Sequence, residues 1–389
     1  MKRSLFVIGM MSCVASAAHA QSSVTLYGVI DEGLNYTSNA GGGKLYSLSS
    51  GDVEGSRWGL KGTEDLGGGL SAIFQLENGF NVNNGRLGPE NQIFGRQAYV
   101  GLSSATYGTL TFGRQYDSLV DYLAPLTSNG NWGGAMFSHP YDNDNTDNTF
   151  RLDNAVKFAS ASYGGFTFGG TYAFSNSTAF ASNRALSVGA QYTVGGLTAA
   201  AAYLNVDSPN NGAAGAVANL GSAGADGSFT ADRQRVFGAG VNYTLGSATL
   251  GFVYTHTDLS RPDATLYASL TPSPTLGAAS SLKFNNFELN AKYQFTPAFY
   301  VGGMYTFTSA TYAGTSGESA KPKYHQFGLM ADYNLSKRTD IYIQSVYIKV
   351  ANDSAVAGTG LEFASNPDIA NPSSNNRQFV ARVGIRHQF

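Results

Sequence analysis

The sequence predicts an all-β protein: a transmembrane antiparallel β-barrel of sixteen strands, with short turns at one end, long loops at the other and a third loop folded inward. Three observations carry this. Apolar and polar residues alternate with a period of two in many separate segments. The connectors between those segments alternate short and long. The chain ends at Phe389, on a segment in which Phe379, Ala381, Val383, Ile385 and His387 alternate with Val380, Arg382, Gly384, Arg386 and Gln388. Chain termini usually fray, so an amphipathic strand running to the last residue calls for a partner strand.

The segments fall at 24–35, 55–66, 69–82, 91–103, 108–115, 151–161, 165–175, 184–194, 197–206, 233–245, 248–259, 282–295, 298–310, 323–335, 338–350 and 377–389. The alternation is plain at 282–295, where Phe284, Asn286, Glu288, Asn290 and Lys292 oppose Phe287, Leu289, Ala291 and Tyr293. Gly67-Gly68, Ala105–Tyr107, Tyr163-Gly164, Gly195-Gly196, Gly246-Ser247, Thr296-Pro297 and Ser336-Lys337 are short turns. The long loops are 36–54, 83–90, 116–150, 176–183, 207–232, 260–281, 311–322 and 351–376. A soluble sandwich shares the alternation but does not require this short-long rhythm. Phe166, Tyr192, Tyr243, Phe295 and Phe299 fall near short turns, and Tyr172, Tyr254 and Phe307 nearer long loops, as two interfacial girdles require.

Residues 1–20 read as a cleavable secretory signal: Lys2-Arg3, an apolar stretch, then Ala18-His19-Ala20. The barrel domain is then 21–389. Cys13, the single cysteine, leaves with the signal, so the mature chain is held without disulfides. Losing Lys2 and Arg3 from 24 basic and 26 acidic residues leaves a net charge of −4, which argues against a nucleic-acid partner. No run approaches the length of a membrane-spanning helix. Charged residues are only 13% of the chain, about half the usual share, which suits a surface that meets lipid at alternate positions.

If apolar rows face lipid, polar rows line a lumen too wide for side chains to fill. Arg57 and Lys61 alternate with Trp58 and Leu60 and point inward, and Arg151, Asp153 and Lys157 share a face. Arg96 lies on the fourth segment in a row whose direction is ambiguous, and Glu77 and Glu288 are inward acids. The longest loop, 116–150, carries Asp117 and Asp121 followed by an uncharged stretch with Trp132-Gly133-Gly134, which is compact enough to enter the lumen. Arg57, Arg96, Arg151, Lys157 and Glu77 facing Asp117 and Asp121 would set a transverse field where the pore is narrowest. His139, His256, His325 and His387 are scattered without a nucleophile beside them, so no catalytic cluster emerges and no cofactor is called for. Asp142–Asp147 has calcium-loop spacing but lacks the glycine and the distal glutamate, and reads as a flexible polar loop.

Several stretches resemble the general diffusion porins of the Gram-negative outer membrane, most closely their β-proteobacterial branch. They are Val24–Asp31 (VTLYGVID), Ser56–Leu66 (SRWGLKGTEDL) running into Gly69–Phe80, Phe94–Leu102 (FGRQAYVGL), Tyr107–Tyr116 (YGTLTFGRQY), Leu335–Thr339 and Val383–Phe389. The resemblance implies a homotrimer in outer-membrane lipid, passive passage of small hydrophilic solutes and ions, and a third loop folded into each pore. It places Arg57, Arg96 and Arg151 on the family's basic ladder and makes Phe389 a signal for the outer-membrane insertion machinery. The acidic loop motif of some enterobacterial members is absent, leaving Asp117 and Asp121 as its substitutes. A substrate-selective channel of the same fold is the alternative, and a barrel adhesin or barrel enzyme is the alternative of another class.

Overall fold

The computed structural model describes residues 23–88, 92–208, 215–217, 228–268, 270–369 and 371–389. The signal segment expected at 1–20 lies outside them. The strands that cross the barrel are β1 Ser23–Ala40, β2 Arg57–Gly67, β3 Leu70–Gly79, β4 Gln97–Ser104, β5 Gly108–Gln115, β6 Leu152–Ser160, β7 Phe166–Ala173 and β8 Arg184–Val194. They continue as β9 Leu197–Asp207, β10 Arg233–Leu245, β11 Ala248–Ser260, β12 Ala279–Thr296, β13 Phe299–Gly314, β14 Lys323–Asn334, β15 Thr339–Ala351 and β16 Arg377–Gln388. Each pairs antiparallel with its neighbour, and β1 pairs with β16, so sixteen strands close on themselves without an edge.

Closure uses both backbone and buried charge. The amide of Gly28 donates to the Phe389 carbonyl at 3.1 Å and the amide of Phe389 donates to the Gly28 carbonyl at 3.0 Å. Inside the seam, Arg382 of β16 donates to Asp31 at 3.1 Å, Asn35 at 2.9 Å and Tyr342 Oη at 2.7 Å, all of them buried. A buried guanidinium survives only with its donors matched, so this knot fixes the register of the last strand on the first.

Burial is inverted relative to a soluble sheet. The outward rows expose large apolar side chains, with Leu329 63% and Val383 58% accessible, whereas the inward rows bury Thr255, Asn286, Glu288, Thr306 and Gln326. Such an apolar band in water would forfeit the transfer energy of every residue in it, and lipid removes that penalty. Phe166, Tyr192, Tyr243 and Phe295 are outward and exposed near the short turns, and Tyr254, Phe287 and Phe307 form a connected aromatic run toward the long loops.

Three of the boundaries that differ from the sequence reading bear on the lumen. The first strand does not stop near 35 but runs to Ala40 and returns as a hairpin over Gly43–Ser50, because Leu34, Tyr36, Tyr46 and Leu48 keep the alternation going through what reads as loop. The fourth begins at Gln97, which leaves Arg96 ahead of the regular ladder. The sixth begins at Leu152, with Asn154 at positive φ (53°), so strict alternation between Arg151 and Lys157 is lost.

Candidate functional site: the lumen beside the third long loop

Residues 116–151 fold into the barrel as a chain of short helical turns, and the inner wall is shaped to take them. A Cβ on Gly302 of β13 would come within 2.6 Å of the Trp132 ring, and one on Gly328 of β14 within 2.4 Å of Phe137. Trp132 and Phe137 meet edge-to-face at 5.0 Å. Leu123 sits in the same way over Gly238 of β10, and Tyr122 over Gly189 of β8. These inward glycines are sockets for the loop's large side chains.

Polar contacts complete the seat. His139 Nδ1 is 2.6 Å from Asp144 and its Nε2 3.3 Å from Glu288 of β12, all three fully buried. Glu288 also accepts from the Ser128 amide at 2.6 Å, Ser128 Oγ at 2.9 Å and Asn290 at 2.7 Å. The two carboxylates beside it raise the His139 imidazole to about 10 despite its burial, and the imidazolium in turn holds Asp144 down at about 2 against the pull of its own burial. A charged histidine therefore clamps the loop to the wall. Asp142–Asp147 is no flexible polar loop. Asp142, Asn143, Asp144 and Asn145 are fully buried, with Asp142 accepting from Thr149 and the Asp147 amide, and the Asn143 carbonyl accepting from Gln234 and Thr257. Among the described residues no group of side chains is arranged to hold a metal ion.

Opposite the loop is a water-accessible cavity of about 800 Å³, walled on the barrel side by Arg57, Glu77, Arg96, Tyr116, Arg151 and Arg386. The tip of the third loop, Asn129–Trp132, forms its other side. Arg57 pairs with Glu54 at 2.5 Å and reaches Glu77 at 3.7 Å. Arg96 donates to Glu77 at 3.0 Å and to Tyr116 Oη at 3.0 Å. Standing ahead of the ladder, it escapes the alternation that would have turned it toward lipid with Ala98 and Val100. Arg151 donates to Asn148 at 2.6 Å and places its guanidinium 5.6 Å from the centre of the Tyr116 ring. Arg386 bridges Glu54 at 3.0 Å and Asp340 at 3.1 Å.

The expected acids of the loop lie elsewhere. Asp117 is fully buried and does not line the cavity. It accepts from the Leu119 amide at 2.6 Å and Asn145 at 2.6 Å, pinning the start of the loop to its end, and burial pushes its carboxyl up to about 7. Asp121 does not line the cavity either; it is ion-paired with Lys157, whose Nζ also donates to the Tyr116 carbonyl at 3.1 Å. Asp153 does not join Lys157; it pairs with Arg114 at 2.8 Å. The acids that do border the cavity are Glu77, Glu54, Asp52 and Asp147. Sequence reasoning passed over Glu54 and Asp52 because they fall in a segment read as external loop, and that segment in fact returns along the inner wall: the Asp52 carbonyl accepts the Ala135 amide at 2.9 Å.

A family model for Gram-negative porins matches residues 7–353. An outer-membrane porin of Bordetella pertussis is 32% identical, with all of both chains covered. The solved anion-selective porin from Comamonas acidovorans superposes with a TM-score of 0.71 at 24% identity, covering 95% of this chain and 100% of that one. The trimer form of OmpT from Vibrio cholerae has a TM-score of 0.65 at 15% identity, covering 95% of this chain and 99% of that one. A lipid-facing barrel, a loop seated in its lumen and full-length similarity lead to one conclusion: the chain belongs to the Gram-negative porins, channel-forming barrels of the bacterial outer membrane.

Proposed function

We propose that the chain is a passive, water-filled channel for small hydrophilic solutes that favours anions where the third loop faces the wall. One observation carries this reading: four arginines, Arg57, Arg96, Arg151 and Arg386, border one cavity, while two of the acids around it, Asp52 and Asp147, are weakened. Burial pushes the carboxyl of Asp52 up, and burial with neighbouring Asp142 and Asp52 pushes that of Asp147 well above the carboxylate range. Cations on one side of a narrow passage, with low-dielectric walls, concentrate anions there and repel cations. The Comamonas porin, described as anion-selective, is consistent with this.

Three such barrels form the working unit on this reading, as in the trimer form of the Vibrio porin. Phe389, whose backbone closes the seam and whose ring covers Gly28, serves as the element read during insertion. The test is planar-bilayer recording in a potassium chloride gradient. The expected result is large steps in groups of three, with a reversal potential on the chloride side of zero. Cation-side reversal would defeat the anion preference, and absent conductance the channel itself. Deleting Phe389 is expected to lower the yield of folded barrel while leaving the conductance of assembled pores unchanged; normal yield would remove that role.

A further inference from the structure

The four arginines around the cavity are held in two ways. Arg57 opens β2 opposite Gly79 of β3, and Arg386 lies within β16 opposite Asp340 of β15, so the strand ladder fixes which way each side chain starts. Carboxylates then tie them, Glu54 on Arg57 and both Glu54 and Asp340 on Arg386. Arg96 and Arg151 have no such start. Each stands one residue ahead of its strand, β4 or β6, where the period of two does not apply. Side-chain contacts must aim them.

Tyr116 touches both of them. It stands one residue beyond the end of β5 and lines the cavity, half-buried. Its Oη accepts from Arg96 Nη2 at 3.0 Å, and the Arg151 guanidinium lies 5.6 Å from the centre of its ring. The backbone beneath the ring is anchored: the Tyr116 carbonyl accepts from Lys157 Nζ at 3.1 Å, and Asp117 beside it accepts from Asn145 at 2.6 Å. Further contacts surround the two guanidinium groups. Glu77 accepts from Arg96 Nε at 3.0 Å, and Asn148 and the Thr149 carbonyl accept from Arg151 at 2.6 Å and 3.2 Å. A Cβ on Gly55 would come within 2.7 Å of Arg96 Nη1, so the wall leaves room for Arg96 in this pose.

A phenol suits this position in a way that a carboxylate would not. Two guanidinium groups beside one cavity repel each other, and a glutamate between them would hold both while cancelling much of their field. A phenol oxygen accepts a hydrogen bond and its ring face attracts a cation, and neither adds a net charge. Tyrosine thus steadies two cations and leaves their charge for what passes. We propose that Tyr116 is a positioning residue of the lumen wall, holding Arg96 by its Oη and Arg151 by its ring so that both face the cavity and set its discrimination between anions and cations. The sign of the effect rests on the anion preference proposed above; the division of labour between hydroxyl and ring does not.

Reversal potentials of the mature barrel in a potassium chloride gradient give the chloride-to-potassium permeability ratio. They are measured for wild type, Tyr116→Phe and Tyr116→Leu, each alone and combined with Arg96→Gln or Arg151→Gln. Tyr116→Phe, which loses the hydroxyl, is expected to lower the ratio about twofold, and Tyr116→Leu, which also loses the ring, about fourfold. The coupling is decisive. Tyr116→Phe should add little in the Arg96→Gln background and keep its full effect in the Arg151→Gln background, where the extra loss in Tyr116→Leu should vanish. Equal effects of Tyr116→Phe in every background would overturn the proposal. So would a Tyr116→Leu barrel with lowered thermal stability and the wild-type ratio, which would make the residue structural only. Tyr116→Phe keeps every backbone contact, so the test stands if Tyr116→Leu fails to fold. A wild type that reverses on the potassium side with the coupling intact would defeat the anion preference and support the positioning role.

Discussion

Glu77 and Glu288 are both glutamates on inward rows of the barrel, and their surroundings could hardly differ more. Glu77 of β3 borders water and is shared between Arg57 and Arg96, with Tyr27 donating at 2.8 Å. Glu288 of β12 is sealed under the third loop and shared between His139 and Ser128. Strand alternation makes them equivalent, and the loop that covers one and not the other makes them different. The lumen thus has a wet wall, where charges border the open cavity, and a dry wall, where charges hold the loop in place.

Removing a partner from the dry wall should have the largest effect. Glu288→Ala leaves a buried imidazolium with one counter-ion and the Ser128 amide without its acceptor, an expected loss of about 3–5 kcal/mol. Thermal unfolding in detergent would register it, together with unsteady open-channel current as the loop loosens. Glu77→Ala should cost less, because Arg57 keeps Glu54, Arg96 keeps Tyr116 and the cavity beside them admits water. Comparable losses for the two would erase the distinction between the walls.

Trp132→Ala comes next. It empties the socket over Gly302 and removes the contact with Phe137, an expected loss of about 3 kcal/mol in unfolding free energy. A loss confined to a few tenths would show that the tip of the loop is held by its polar clamp alone.

The histidine clamp also gives the comparison a pH axis. His139 has its pKa raised in the folded protein to about 10, so its stabilisation is complete below about 6.5 and is lost as pH rises through about 10. The stability difference between wild type and His139→Gln should therefore shrink between pH 7 and pH 10.5. A difference that stays flat would mean the imidazole is neutral at pH 7. Smallest of all, Lys157→Gln should cost less than about 1 kcal/mol, since the pair with Asp121 is partly solvated.

The barrel was legible in the sequence because lipid and water impose a period of two on every strand, and connector lengths repeat the up-and-down path. The site was only half legible. Alternation gave the direction of Arg57, Glu77 and Lys157, but said nothing about what lies over an inward residue, so Glu288 looked like another lumen acid and Asp117 like an acid facing Arg57, Arg96 and Arg151 across the pore. Two signals were present and unread. Inward glycines at Gly189, Gly238, Gly302 and Gly328 mark the strands on which the loop lies, because only a missing Cβ admits its side chains. The polar run Asp142–Asp147 has no apolar residue because it packs against a wall of threonines, asparagines and glutamines, where hydrogen bonds replace water. Arg96 lay beyond either signal: its direction depends on where the ladder begins, a matter of a single residue.

The most direct test of the two-wall account is the single-channel reversal potential in a potassium chloride gradient for Arg96→Glu, Arg151→Glu and Glu288→Gln beside wild type. The account predicts that each arginine reversal moves the potential toward the potassium side, while Glu288→Gln leaves the open-state potential where it was and disturbs only its steadiness. Arginine reversals without effect, or a Glu288→Gln shift as large as theirs, would contradict it.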